Sequence, residues 1–281
     1  MPGQDVWWRS LPDEVRGRFV GAFTSREFAD IAESDPVVVL PIGATEQHGP
    51  HLPLFTDSLI AQAVLAETFS RLPPGHRCYF LYPIGASYSV EHADFPGTIT
   101  LKAETLLALL RDTATSLARA GVKRLVLLNA HGGNIGVLQL AAREIRLETG
   151  QLVLTVHAGS LARRELSDPL EDELGIHAGE AETSLLLALV PDWVDMRRAN
   201  REFPVSFSAS RHLSLEGRFP VAWKTRDHSA SGTFGDATAA TAEKGRAALS
   251  AMAGTLVEVL SEFAEFAPRK EGSMWETGAP V

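Results

Sequence analysis

Four short apolar runs, VVVLPI (37–42), YFLYPI (79–84), RLVLLN (124–129) and QLVLTVH (151–157), govern what this chain can become. Each is nearly continuous in hydrophobicity instead of alternating, the pattern of a strand buried on both faces. Between them apolar residues recur at helical spacing, as in Ile60, Val64, Phe69, then Leu106, Leu110, Leu117, then Leu138, Ala141, Ile145. A further helix is expected near Glu182 in ETSLLLALV, stopping before Pro191, and a last long one through Leu249, Met252, Leu256 and Leu260. Runs and periodic stretches in alternation predict an α/β fold: a three-layer α/β/α single domain with a mainly parallel sheet.

The 281 residues suffice for one substantial core. The domain is expected over 23–267, with 1–22 as an N-terminal extension and 268–281 as a mobile C-terminal tail. Residues 200–235 lack periodicity and are rich in Ser, Gly, Phe and Arg, which predicts a long and functional loop excursion.

Charge and cysteine content narrow the function. Lys and Arg number 26 against 35 Asp and Glu, a net charge of −9, which disfavours nucleic acid and anionic membranes as partners. The apolar runs fall well short of the roughly 18 to 20 residues that cross a bilayer, and the N-terminus lacks the apolar core of a signal peptide. The expectation is a cytoplasmic protein with no membrane partner. Cys78 is the only cysteine, so a metal would have to be held by histidines and carboxylates.

In open parallel sheets, sites form where the chain leaves the carboxyl ends of strands. The first run leads into PIGATEQHGPHLPLFTD (41–57), with Glu46, His48, His51 and Asp57. Glu46 and His48 are two apart, so extended backbone points both to one side. Asp57 could cap a helix or, having two oxygens, bridge two cations. The third run leads into NAHGGN with His131, Gly132 and Gly133, glycines that either let a substrate approach the main chain or simply make a strand-to-helix turn. The fourth run ends at His157 and is followed by HAGEAE with His177, Glu180 and Glu182. His92, in EHADFPGT, follows the second run's loop toward the same pocket. Carboxylates and imidazoles from three strand ends, without cysteine, are the ligand set of a hydrolytic metal site. A dication there lowers the pKa of bound water to about 7.

These segments resemble the creatininase family of metal-dependent amidohydrolases. PIGATEQHGPHLPLFTD is similar to that family's signature, and HADFPGTITL, RLVLLNAHGGN, HAGEAETSLLLAL and GTFGDATAATAEKG resemble its later blocks in the same order. The resemblance runs from about residue 23 to 265. It implies two divalent metal ions (Zn, Mn or Fe), with Glu46 and His131 on one, His48 on the other and Asp57 bridging. It also implies a homo-oligomer, often a hexamer built as a trimer of dimers.

Creatininase carries a glutamate where this chain has Gly133, so the chain looks closer to the relatives with an NxHGGN motif. These include formamidopyrimidine deformylases, the mycofactocin peptidase and keto-inositol hydrolases. The missing ligand would come from Glu180, favoured here, or Glu182. His177 matches the family's proton-shuttling histidine, and Glu180 would share that catalytic role. His92, Gly132 and Gly133 would bind a small-molecule substrate. The expected reaction is hydrolysis of a non-peptide or cyclic C–N bond, a lactam or formamide, by a hydroxide held between two metals. The rivals are a keto-cyclitol ring hydrolase, a peptidase, or a non-catalytic oligomeric scaffold.

Overall fold

A computed structural model describes residues 11–162, 169–207, 210–216 and 218–268. The expected tail beyond 268 lies outside them. In chain order the elements are α1 (Asp13–Arg16), α2 (Ser25–Glu33), β1 (Val37–Ile42), α3 (Thr56–Arg71), β2 (Cys78–Phe80), α4 (Ala103–Arg119), β3 (Arg124–Asn129), α5 (Ile135–Thr149) and β4 (Leu152–His157). There follow α6 (Pro169–Leu174), α7 (Glu180–Leu189), β5 (Arg201–Glu202), α8 (Thr225–His228), β6 (Gly235–Asp236) and α9 (Ala242–Glu265).

β1 to β4 form one parallel sheet in the order β2-β1-β3-β4. The period-2 alternation of strands explains the continuous apolar runs. Val37, Val39, Val126 and Leu128 pack with α3, α7 and α9 on one face. Val38, Leu40, Leu125 and Leu127 pack with α4 and α5 on the other. Each such side chain removed from water contributes about 1.5–3 kcal/mol, so the two central strands anchor all three layers.

The outer strands depart from the sequence reading for local reasons. β2 ends at Phe80, not at residue 84, because Pro83 has no N–H for the ladder; pairing resumes only as an isolated bridge between Ile42 and Ile84. β4 is the edge strand, and of its six residues only Val156 is buried. Ahead of the expected domain start, Val15 is fully buried and Phe19 stacks on Phe80 with ring centroids 5.4 Å apart.

α9 is long and apolar enough to cross a membrane by length and composition alone, which the run lengths did not suggest. It packs along α7 and α3 and buries Met252, Leu256 and Leu260 in the core. The 200–235 excursion is pinned at its ends by the antiparallel pair β5–β6, and its Thr225 and Gly232 reach His92 and Gln47.

Candidate metal centre

The carboxyl ends of β1 and β3 deliver the core of the site. Past β1 the chain carries Glu46 and His48 inward, both fully buried, and then turns at Gly49 with φ of +66°. A side chain at Gly49 would be strained and would meet His51 Nδ1 at 3.0 Å, so glycine permits this path. Asp57 lies in the first turn of α3, but the helix has no side-chain cap and the carboxylate turns inward. Its Oδ1 is 3.1 Å from His48 Nε2 and its Oδ2 is 3.2 Å from His131 Nδ1. The capping reading is thereby set aside.

Glu46 divides its two oxygens in a similar way. Oε2 accepts from Ser89 Oγ and lies 3.3 Å from His131 Nδ1. Oε1 is surrounded by His92 Nε2 at 3.5 Å, His177 Nδ1 at 3.7 Å and His48 Nε2 at 3.9 Å. Among the described residues, three groups of side chains have ligand atoms close enough to share an ion: Glu46, Asp57 and His131; His48, Asp57 and Glu182; Glu46, His48 and His177.

Two observations show that the pocket is built for positive charge. Glu46 Oε1 and Asp57 Oδ2 are buried without a hydrogen-bond partner, a costly state for a carboxylate. The imidazoles respond to the same field. Burial opposes a charge on His48, yet Asp57, Glu182 and Glu46 outweigh it and push its pKa up to about 10. His131 is likewise raised well above its ordinary value, because Glu46, Asp57 and Glu91 overcome burial. Burial works against Asp57, but His48 and His131 hold its carboxyl below the usual range. Burial raises Glu46 against the pull of His131. Without metal the centre attracts protons, and dications satisfy the same carboxylates.

The remaining predicted residues fall around this centre. Glu180 and Glu182 both lie on α7 two residues apart, about 200° around a helix, so only one can face His48. That one is Glu182, whose Oε2 is 3.8 Å from His48 Nε2 and accepts from Ala178 N at 2.6 Å. Glu180 is buried but pairs with Lys244, outside the three groups. Helix rotation thus places Glu182, rather than the favoured Glu180, beside His48 and Asp57.

His177 Nε2 donates to the Gln47 carbonyl at 2.8 Å, which leaves Nδ1 with its lone pair toward Glu46. Burial, with His92 and His48 beside it, keeps His177 neutral with a pKa well below its ordinary value. His92 is stacked on His177 at 4.1 Å and held at Nδ1 by Thr225 Oγ1 at 2.6 Å. It stands behind Glu46, closed from solvent. His51 bonds Thr183 Oγ1 at 2.8 Å, tying the β1 loop to α7. Burial and the nearby His48 lower its pKa to about 4.

Gly132 and Gly133 form a single turn between β3 and α5. Gly132 borders a cleft of roughly 210 Å³ that runs from His177 and Glu182 past His157 to Ala248 on α9.

Sequence reasoning passed over Gln47, Ser89, Glu91 and Thr225, which touch His92, His131 or Glu46. Gln47 could have been found by its place between two ligands. Ser89 and Thr225 carry no signal before the loops are folded.

The profile of the creatininase family, described as creatinine amidohydrolase, matches residues 22–260. The chain belongs to the creatininase family. It is 34% identical over 268 residues to the mycofactocin precursor peptide peptidase of Mycobacterium tuberculosis, covering 91% of this chain and 95% of that one. It is 32% identical over 271 residues to the creatinine amidohydrolase of Pseudomonas putida, covering 89% and 98%. A manganese creatininase structure superposes with a TM-score of 0.69 at 29% identity, over 87% of this chain and 98% of that one. The three-layer fold is that of the creatininases, and the chain is a creatininase-family amidohydrolase with side chains grouped to bind metal.

Proposed function

We propose that the protein hydrolyses a cyclic or non-peptide C–N bond, a lactam or formamide, in a small-molecule substrate, using two divalent ions (Zn, Mn or Fe). Glu46, Asp57 and His131 would hold one ion, and His48, Asp57 and Glu182 the other. The observation that carries this reading is Asp57, whose two oxygens face imidazoles belonging to two different groups. Ions bound there supply a water of lowered pKa and polarise the carbonyl under attack.

The chain's own residues do the rest. Ser89 and His131 orient Glu46, and the Gln47 carbonyl fixes the His177 ring. His177 moves the proton to the departing nitrogen at Nδ1. Glu180 is left out of this step because Lys244 occupies its carboxylate. Gly132 lets the substrate approach the turn, and the cleft accepts its remainder.

A second reading, removal of a peptide tail, is favoured by the 34% identity to the mycofactocin peptidase over most of both chains. A third relative, the 3-dehydro-scyllo-inosose hydrolase of Thermotoga maritima, is 25% identical over 271 residues. The test is to load the protein with Zn, Mn or Fe, offer lactams, formamides, peptide tails and cyclitol ketones, and identify products by mass spectrometry. Turnover of a lactam or formamide that stops on chelation supports the reading. Turnover unaffected by complete chelation, or by Glu46→Ala with Asp57→Ala, overturns it. The reading includes a homohexamer, as the family resemblance implies, and light scattering of the intact chain checks it.

A further inference from the structure

Glu91 sits on the single turn Val90–His92, where its carbonyl accepts from Thr225 Oγ1 at 2.9 Å. Its side chain is mostly buried and points toward His131, with Oε1 3.4 Å from Nε2. That nitrogen also lies 2.9 Å from the Tyr88 carbonyl, which can only accept. His131 therefore keeps a proton on Nε2 in either charge state, and Nδ1 faces Glu46 and Asp57. The Glu91 carboxylate also stands directly over Gly133. A Cβ at position 133 would run into Glu91 Oε1 and come within 2.5 Å of His131 Nε2. No other carboxylate lies within ion-pair distance of His131 Nε2 among the described residues.

We infer that Glu91 is the positioning residue of His131, and that glycine at 133 is needed because it leaves this carboxylate its room. A carboxylate on the outer nitrogen of a ligand imidazole holds the ring's orientation and makes the inner nitrogen a stronger donor. The glycine in NAHGGN and the acid in EHADF are then two halves of one arrangement, joined across the sheet ends. The inference rests on His131 being a metal ligand, as proposed above.

The experiment measures binding of Zn(II) and Co(II) to the full chain by competition with a chromophoric chelator, for wild type, E91Q, E91A and E91D. The expected result is a loss of about 10- to 100-fold in affinity for one of two ions in E91Q and E91A. The other ion should be held within about twofold, and E91D should recover part of the loss. The visible spectrum of the Co(II) protein should shift in E91Q, which a merely structural role would not cause.

G133A, whose Cβ crowds both Glu91 Oε1 and His131 Nε2, should show a loss at the same single site. Wild-type affinity and spectrum in E91Q would overturn the inference. If G133A does not fold, the Glu91 series decides alone. Failure of the metal reading itself would be distinguishable, because wild type would then bind neither ion tightly.

Discussion

At the residue scale the centre is a set of carboxylates seeking positive charge. His48, with its pKa near 10, keeps its proton in the metal-free protein at pH 8, and His131 is raised in the same direction. His48 must give that proton up to become a ligand, so loading with Zn(II) at that pH should release at least about one proton per chain. Calorimetry in buffers of different ionisation enthalpy measures this directly, and no release would contradict the assignment.

The two acids of α7 separate equally well. Glu182→Gln should lose the ion on the His48 side. Glu180→Gln should keep both ions but destabilise by about 1–3 kcal/mol, because Lys244 loses its buried partner. Metal analysis paired with thermal melting distinguishes them. Much of this site was legible: the two-residue spacing of Glu46 and His48, and the histidine after β3, follow from where strands end. The choice between Glu180 and Glu182 was not, because a sequence gives helical spacing but not the rotation of the helix about its axis. Glu91 was overlooked beside His92, although an acid next to a histidine in a strand-end loop is itself a signal.

At the element scale the strands could be read because burial on both faces leaves a continuous apolar run. The extents of β2 and the half-exposure of β4 depended on Pro83 and on sheet order, which only pairing reveals. α7 and α9 pack closely where Gly245 faces the backbone of Ser184 and Leu185. A Cβ there would be 2.9 Å from Leu185 N and closer still to Ser184 O. Alanine is the better helix former by about 1 kcal/mol, so intrinsic propensity alone would make Gly245→Ala stabilising. Overpacking against rigid backbone outweighs that gain, and the variant should lose about 1–3 kcal/mol by denaturant unfolding. Because α7 carries Glu182, the ion beside His48 should weaken as well. A stabilised Gly245→Ala protein with wild-type metal affinity would contradict this packing account.

At the scale of the whole molecule, the buried histidines set how stability depends on pH. His51, His92 and His177 have lowered pKa values, so their contribution is present above the ordinary imidazole value of 6.5. It is lost as pH falls below that value, because the unfolded chain then binds protons the native state refuses. His48 and His131 are raised, so their contribution is present below 6.5 and is lost as pH rises, through about 10 for His48. Each proton held differently tilts stability by about 1.4 kcal/mol per pH unit. The metal-free protein should therefore melt highest near pH 6.5 and lower on both sides. In the metal-loaded protein the alkaline decline should vanish, since ions replace the retained protons.

The proposed centre would hold two ions through Asp57. Its most direct test is the number of tightly bound dications per chain, measured by elemental analysis of metal-loaded, dialysed protein alongside Asp57→Ala. The prediction is about two ions in the wild type and fewer than one in the variant, with both chains folded. An equal count in the two proteins, or a folded wild type holding one ion or none, would contradict it.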